Sequence, residues 1–264
     1  MTNNGTSGPE TSGSHTRMHE VSAETERIVD RVLEYSRRRI LSENTPLDHP
    51  STEAELTRLA GTTIDEHGIG EARALAVFEH VLAPACITTD HPQFLSFIPS
   101  APSKAAVAFD LVVSASALYG GSWLEGAGVV HAENEVLRWL ADEFGLPKGA
   151  GGVFVQGGTI GNLSALVAAR ESARDKLAGS ASSSGRWVIV CSAEAHSSIA
   201  AAARVMDVDV ATAAVDADGV LRAESVREQL QDHGDRVIAV VVTTGTTNFG
   251  IVDDVAGIAA LKQE

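Results

Sequence analysis

The chain has few of the residues that mark several large classes of protein. Only two of its 264 residues are cysteines, and Cys86 and Cys191 are too far apart to form a metal-binding pair. Neither a disulfide scaffold nor a metal site is therefore predicted. No apolar run approaches the roughly 18 residues of a membrane-spanning helix, and the N-terminus lacks the apolar core of a signal peptide. These absences predict a cytoplasmic protein with no membrane partner.

Positive charge is also scarce. The chain carries 20 lysines and arginines against 35 aspartates and glutamates, which gives a formal net charge of −15. An acidic surface is not attracted to a phosphate backbone, so nucleic acid is excluded as a predicted partner. The hydrophobic content of 44% is that of a globular protein, and the chain is long enough to bury a sizeable core.

The first part of the sequence divides into a tail and a helical segment. Residues 1–17 are mostly Thr, Asn, Gly and Ser, a composition that predicts a disordered tail. Residues 18–98 form a predicted helical segment in which apolar residues recur at helical spacing and prolines interrupt the pattern. The helices predicted up to residue 144 cover 21–41, 52–66, 70–81, 103–118 and 128–144.

After Gly151 the pattern changes to short apolar runs that alternate with helical segments. Strands are predicted at 153–156, 187–191, 208–214 and 237–242, with helices at 162–177, 197–205, 223–231 and from about 254. This alternation is typical of an α/β fold with a mainly parallel sheet. Ligands of such sheets bind at the carboxyl ends of the strands. We therefore expect the loops at 157–159, 192–196 and 243–247 to face the same crevice.

The sequence Gly157-Gly158-Thr159 connects a predicted strand to a predicted helix. A helix N-terminus presents free N–H groups and the positive end of the helix dipole, which together favour an anion such as phosphate. Gly157 and Gly158 allow a close backbone approach, and Thr159 can cap the helix and offer a hydroxyl group. Taken alone, the segment is equally compatible with an ordinary turn in which glycine only relieves crowding.

Considered together, the motifs resemble those of the group II pyridoxal-phosphate-dependent amino-acid decarboxylases, from about His91 to the end of the chain. Each motif is weak alone, and the resemblance depends on their common order and spacing. The motifs are His91-Pro92-x-Phe94, Gly121-Ser122-Trp123 with Glu133-x-Glu135 downstream, Gly157-Gly158-Thr159-x-x-Asn162-Leu163, Ala195-His196-Ser197-Ser198 and Thr244-Gly245-Thr246-Thr247. The resemblance implies the α/β fold type I (aspartate-aminotransferase-like) architecture.

The same resemblance implies a cofactor, pyridoxal 5'-phosphate, and an amino-acid substrate. In the family the Gly-Gly-Thr loop binds the cofactor phosphate, which assigns that role to Gly158 and Thr159. The histidine of Ala-His-Ser-Ser stacks on the pyridine ring, which makes His196 both a cofactor-binding and a catalytic residue near the substrate carboxylate. Without the other motifs, a lone histidine after a strand would be interpreted as a hydrogen-bonded helix cap.

Two further residues receive roles from the resemblance. The Gly-Thr-Thr loop contributes a threonine close to the cofactor, which the motif aligns with Thr247 and for which Thr246 remains the alternative. Ser100 follows Pro99 at the place where family members carry a polar residue near the substrate. A Pro-Ser turn is also common for purely structural reasons.

The resemblance further implies how the chain is organised. Residues 18–98 correspond to a segment that packs across the partner subunit of a homodimer, and residues 99–264 correspond to the first part of a truncated cofactor-binding large domain. In the family, an aspartate that pairs with the ring nitrogen and a lysine that binds the cofactor covalently come later. None of the four lysines here fits that motif, and Asp253 and Asp254 follow the Gly-Thr-Thr loop too directly. We therefore expect an inactive fragment.

Two other classes of function remain as alternatives. An aminotransferase or a carbon–carbon lyase of fold type I would share the same cofactor-binding motifs. A non-enzymatic dinucleotide-binding module is the third interpretation, because Gly157-Gly158-x-x-Gly161 is superficially similar to the Rossmann fingerprint. The first spaced glycine of that fingerprint is missing, and Glu194 follows too late to bind the ribose.

Overall fold

The computed structural model describes residues 19–66, 68–177 and 185–263. The predicted disordered tail at 1–17 lies outside these ranges. Within them, no helix combines the length and the apolar character required to cross a membrane. The chain divides into two compact units, with the boundary between Ala132 and Glu133. We call the described residues before this boundary the first unit and those after it the second unit.

The first unit is helical, as predicted. The first two helices begin with capping boxes formed by Ser22 and Thr52. The second helix ends at Gly61, whose φ of 63° stops it before the predicted residue 66. The helices are α1 (Ala23–Ile40), α2 (Glu53–Ala60), α3 (Glu71–Val77) with a π-helical turn at Phe78–Leu82 and a 3-10 turn at Ala83–Ala85, α4 (Lys104–Ala115) and α5 (Trp123–Glu143), within which the unit boundary falls.

Two arginines at the end of α1 connect this helix to later parts of the first unit. Arg38 contacts Glu79 at 2.9 Å, and Arg39 forms a two-bond ion pair with Asp90 at 2.6 and 2.8 Å. The hydrogen bond from Arg39 lowers the pKa of the Asp90 carboxyl below its ordinary value. The ion pair between Arg39 and Asp90 therefore holds the segment that leads into the His91-Pro92 motif.

The second unit contains a parallel three-stranded sheet, which confirms the predicted α/β class. Its strand order is β2 (Asp209–Ala213), β1 (Val188–Ser192) and β3 (Val237–Val240). In the central strand, Val188 lies opposite Asp209 of one neighbour and Val237 of the other. The elements are α6 (Gly157–Leu177), β1 (Val188–Ser192), α7 (Ser198–Met206), β2 (Asp209–Ala213), α8 (Ala223–His233), β3 (Val237–Val240) and α9 (Val255–Ala260).

Side chains of β1 alternate between two hydrophobic clusters because successive strand residues point to opposite faces. Ile189 and Cys191 pack with residues of α6 and α7, and Val188 and Val190 pack with residues of α8 and α9. All five β1 residues are buried. The second unit is therefore a helix–sheet–helix sandwich with its own core.

The predicted strand at 153–156 is wrong. These residues are not part of a ladder with any described strand, and Val153 and Phe154 expose 66% and 58% of their surface. The N–H group of Phe154 instead donates to Oε1 of Glu133 at 3.3 Å. An apolar run becomes a strand where a neighbouring strand satisfies its backbone groups. The described outer strands β2 and β3 do not pair with residues 153–156.

One outer strand of the sheet carries an apolar groove. The groove has a volume of about 520 Å³ and runs beside β3, where Val237, Val240 and Ile258 contribute to its lining. An edge strand next to an apolar surface is the kind of feature that further chain normally covers.

Candidate functional site

The sheet brings two of the predicted loops to one edge. β1 and β3 are parallel neighbours, so their carboxyl ends lie on the same side of the sheet. His196 follows the last residue of β1 by four positions, and Thr247 lies in the loop after β3. The helix α6 packs against both α7 and β3. The three motif loops of the second unit therefore belong to one packed assembly.

The start of α6 is an open helix N-terminus. Gly157 has a φ of 81°, which only glycine adopts readily, and its N–H group donates to the Val155 carbonyl at 2.9 Å. Gly158 and Thr159 are exposed, and a Cβ atom built on Gly158 would meet no atom within 4 Å. The amides of the first turn have no partner inside an α-helix, so an anion can approach them here.

Thr159 does not cap α6 as predicted. The helix begins at Gly157, which places Thr159 third in the first turn and not at the N-cap. The positive φ of Gly157 turns the chain into the helix here, five residues before the predicted start at residue 162. The exposed hydroxyl group of Thr159 still belongs to the turn that offers the free amides.

A chain of hydrogen bonds connects α6 to the histidine loop. Nδ2 of Asn162 donates to Oγ of Ser198 at 2.8 Å, and the same Oγ lies 2.8 Å from Nδ1 of His196. The backbone N–H of Ser198 also donates to that Nδ1, at 3.1 Å. These side-chain contacts therefore join the first turns of α6 to His196 within the second unit.

Asn162 and Ser198 belong to two of the sequence motifs, but no functional role was predicted for either residue. A signal was present, because Asn162 precedes Leu166 by four residues and so shares its helix face. Leu166 belongs to the core cluster, and a polar group on that face requires a partner. Ser198, which is 3% exposed, provides it.

The observed contacts of His196 are those of the helix-cap alternative. Its Nδ1 makes a local hydrogen bond with the first turn of α7, as a helix cap does, and its carbonyl accepts the Ile199 N–H at 2.9 Å. The residue is nevertheless exposed. A flat ring held at one nitrogen and open to solvent can stack on a flat ligand.

The structure separates the two threonines of the Gly-Thr-Thr loop. Thr246 is 4% exposed, and its Oγ1 accepts the N–H of Ile251 at 3.1 Å, so its hydroxyl stabilises the loop. Thr247 is exposed and offers its hydroxyl at the surface. The local geometry therefore favours Thr247 as the ligand-facing residue.

Two consecutive aspartates fix the base of this loop. Asp253 is 4% exposed, and its carboxylate accepts the N–H groups of Leu221 at 3.0 Å and Thr243 at 2.7 Å. Asp254 caps α9 by accepting the N–H of Gly257 at 2.9 Å. Both carboxylates are therefore engaged with backbone N–H groups.

The remaining candidates lie elsewhere or are unreactive. Ser100 belongs to the first unit, in the exposed loop before α4, and its role continues to depend on the resemblance. Cys191 is buried, and burial raises the pKa of its thiol, which keeps it protonated and a poor nucleophile. Among residues 19–66, 68–177 and 185–263, no group of three or more His, Cys, Asp or Glu side chains could hold a metal ion.

Comparison with known proteins identifies one family. The family model described as "Pyridoxal-dependent decarboxylase conserved domain" matches residues 55–264. The chain is 31% identical over 207 residues to an L-2,4-diaminobutyrate decarboxylase of Rhizobium meliloti, with 75% of this chain and 40% of the relative covered. It is 29% identical over 178 residues to an aromatic-L-amino-acid decarboxylase of Bacillus atrophaeus, with 65% and 36% covered.

Solved structures show the same fold. The Oryza sativa protein solved as "TDC with PLP and tryptamine" matches with a TM-score of 0.74 and 24% identity, over 91% of this chain and 52% of that one. The glutamate decarboxylase domain of a Vibrio parahaemolyticus protein matches with a TM-score of 0.76 and 23% identity, over 92% and 56%. The chain therefore spans less than half the length of these curated relatives and slightly more than half of these solved chains.

Proposed function

This chain belongs to the pyridoxal-dependent decarboxylase family, and we propose that its second unit binds the phosphate and the ring of pyridoxal 5'-phosphate. The protein that carries it would convert an L-amino acid to an amine and CO₂. The observation that supports this most strongly is the Asn162–Ser198–His196 hydrogen-bond chain. This chain of hydrogen bonds joins a helix N-terminus that favours an anion to an exposed imidazole. A phosphorylated flat ring requires both, the first for its phosphate and the second for its ring.

The phosphate would bind at the first turn of α6. The N–H groups of Gly158 and Thr159 would donate to its oxygens, the Thr159 hydroxyl would add a further bond, and the helix dipole would favour the negative charge. The space around Gly158 leaves room for an oxygen close to the backbone. No described basic side chain is required for this binding mode.

His196 and Thr247 would contact the rest of the ligand. The exposed imidazole would stack on the pyridine ring and direct its free nitrogen toward the substrate carboxylate, and Thr247 would contact the cofactor from the loop after β3. Pyridoxal phosphate, when bound, supplies the electron-accepting ring that stabilises the charge left by departing CO₂. Ser100 is the proposed substrate-binding residue of the first unit.

Homodimer formation is part of the same proposal. The helices α1–α4 contain no buried residue, and Ile98 is 95% exposed just before α4. Exposed apolar surface of this kind marks an interaction site, and a second copy of the chain is the simplest partner. Sedimentation analysis of the protein that carries this chain, at micromolar concentration, should show a dimer. A monomer would contradict this part of the proposal.

The reaction class is tested by following the fate of the substrate. The protein that carries this chain, supplied with pyridoxal phosphate, should release CO₂ from a carboxyl-labelled L-amino acid and accumulate the matching amine. Transfer of the amino group to a 2-oxo acid without release of CO₂ would support the aminotransferase alternative and contradict decarboxylation. Aromatic amino acids and 2,4-diaminobutyrate are the first substrates to test.

The phosphate assignment is tested by a pair of glycine variants. Gly158→Val should weaken pyridoxal phosphate binding by at least about ten-fold, because the side chain would fill the space of a phosphate oxygen. Gly151→Val is the matched control, since that glycine is also exposed and its Cβ would also meet no atom within 4 Å. Thr159→Ala should cost on the order of 1–2 kcal/mol of binding. Equal affinity in the two valine variants would contradict the assignment.

A further inference from the structure

We infer that Asn162 and Ser198 are positioning residues that orient the imidazole of His196 and select the tautomer with the proton on Nε2. The hydrogen-bond pattern of the chain alone supports this inference, whereas its consequence for a ligand depends on the proposed function. Neither residue contacts a reacting atom, because both act through the imidazole.

The backbone determines which ring nitrogen of His196 carries the proton. The backbone N–H of Ser198 lies 3.1 Å from Nδ1 of His196, and a backbone N–H can only donate. A proton on Nδ1 would place two donors against each other. Nδ1 therefore has to accept, and in a neutral imidazole the proton is then on Nε2.

Asn162 determines the direction in which the Ser198 hydroxyl donates. This hydroxyl has one proton and lies 2.8 Å both from Nδ2 of Asn162 and from Nδ1 of His196. Because the amide of Asn162 donates to Oγ, the hydroxyl proton is left for Nδ1. Ser198 is 3% exposed, so water competes little for either bond.

The same hydrogen bonds set the orientation of the His196 ring. Two donors from one residue converge on Nδ1 and restrict rotation of the ring, and Asn162 connects them to α6, five residues after Gly157. The ring is thus oriented relative to the proposed phosphate-binding turn. Nε2–H is left as the donor toward a ligand, and it suits an acceptor such as a carboxylate oxygen.

The test is long-range ¹H–¹⁵N NMR of the imidazole nitrogens in the chain without cofactor, at a pH where His196 is neutral. The His196 signals are identified by their loss in His196→Gln. Wild type should show a protonated Nε2 and a hydrogen-bonded, unprotonated Nδ1. Ser198→Ala and Asn162→Ala should move the Nδ1 resonance toward that of a nitrogen without a partner, and the exposed neighbour variant Ser197→Ala should not.

Each outcome decides one proposal. A wild-type His196 protonated on Nδ1 would overturn the inference even if the buried-site variant Ser198→Ala failed to fold. An Nδ1 resonance that is the same in Ser198→Ala and Ser197→Ala would also overturn it. If the wild-type pattern is as expected but pyridoxal phosphate leaves the Nε2 signal unmoved, the inference stands and the cofactor assignment of His196 fails.

Discussion

The two units bury their apolar side chains to very different extents. In the second unit Ile189 and Val190 have no exposed surface, and the central strand contributes to clusters on both faces of the sheet. In the first unit no residue of α1–α4 is buried, and Leu95 and Ile98 are more than 90% exposed. Both units follow the amphipathic patterns of their sequences, but only the second unit forms buried hydrophobic clusters.

This difference separates two uses of apolar residues. The second unit uses them to fix the strand ends that carry the candidate site, which is why its loops have defined hydrogen bonds. The first unit has its defined contacts mainly at polar positions, such as the ion pair between Arg39 and Asp90. Apolar surface that is left exposed on a regular helix is more consistent with association than with an internal core.

The largest loss of stability should follow when a buried side chain of the central strand β1 is shortened. Ile189→Ala removes a fully buried side chain and should lower the free energy of unfolding by about 2–5 kcal/mol. Ile98→Ala, the matched substitution at a 95% exposed position, should change it by less than about 0.5 kcal/mol in the monomer. Chemical denaturation measures both. Similar losses in the two variants would contradict the difference between the units.

A smaller effect is expected at the base of the loop after β3. Asp253→Asn replaces a buried carboxylate that accepts two backbone N–H groups by an amide that can accept only on one side, and should cost about 3 kcal/mol. Asp254→Asn is the control, because asparagine caps a helix as well as aspartate does. Denaturation curves that rank these variants in the opposite order would show that the loop is not held by Asp253.

The ion pair of the first unit should have the smallest effect and a defined pH dependence. Because the pKa of Asp90 is lowered in the folded chain by the hydrogen bond from Arg39, its contribution is present above the ordinary aspartate pKa of about 3.9 and disappears as the pH falls through the lowered value. Both side chains are about one-third exposed, so the contribution should stay below about 1 kcal/mol.

The measurement for this pair is the free energy of unfolding of wild type and Asp90→Asn between neutral and acidic pH. The two curves should differ at neutral pH and converge at low pH. A difference that grows on acidification would contradict the assigned direction of the pKa shift.

The sequence predicted the part of the fold in which local pattern and packing agree. The strands predicted at 187–191 and 237–242 appear as β1 and β3 with nearly the predicted bounds. Their β-branched apolar residues have a neighbouring strand with which to pair. The run at 153–156 has the same local pattern and forms no strand, since its outcome depends on a neighbour that local pattern does not reveal. Parallel pairing is a long-range property.

The candidate site was predictable to a similar extent. The family resemblance predicted cofactor roles for Gly158, His196 and Thr247, with Thr246 as the alternative to Thr247, and these roles stay predictions. That distinction depends on a hydrogen bond across the loop to Ile251, which only the folded geometry shows. The link between Asn162 and Ser198 spans 36 residues and was missed for the same reason.

We propose that the start of α6, His196 and Thr247 form one site for a phosphorylated ring within the second unit. Amide NMR spectra of the chain, titrated with pyridoxal phosphate, test this proposal most directly. The signals of Gly158, Thr159 and Thr247 should shift together with one Kd, and pyridoxal without the phosphate should leave Gly158 and Thr159 unchanged. The cap residues Ser22 and Thr52 of the first unit should not respond. Unmoved signals at the start of α6, with shifts elsewhere, would contradict the claim.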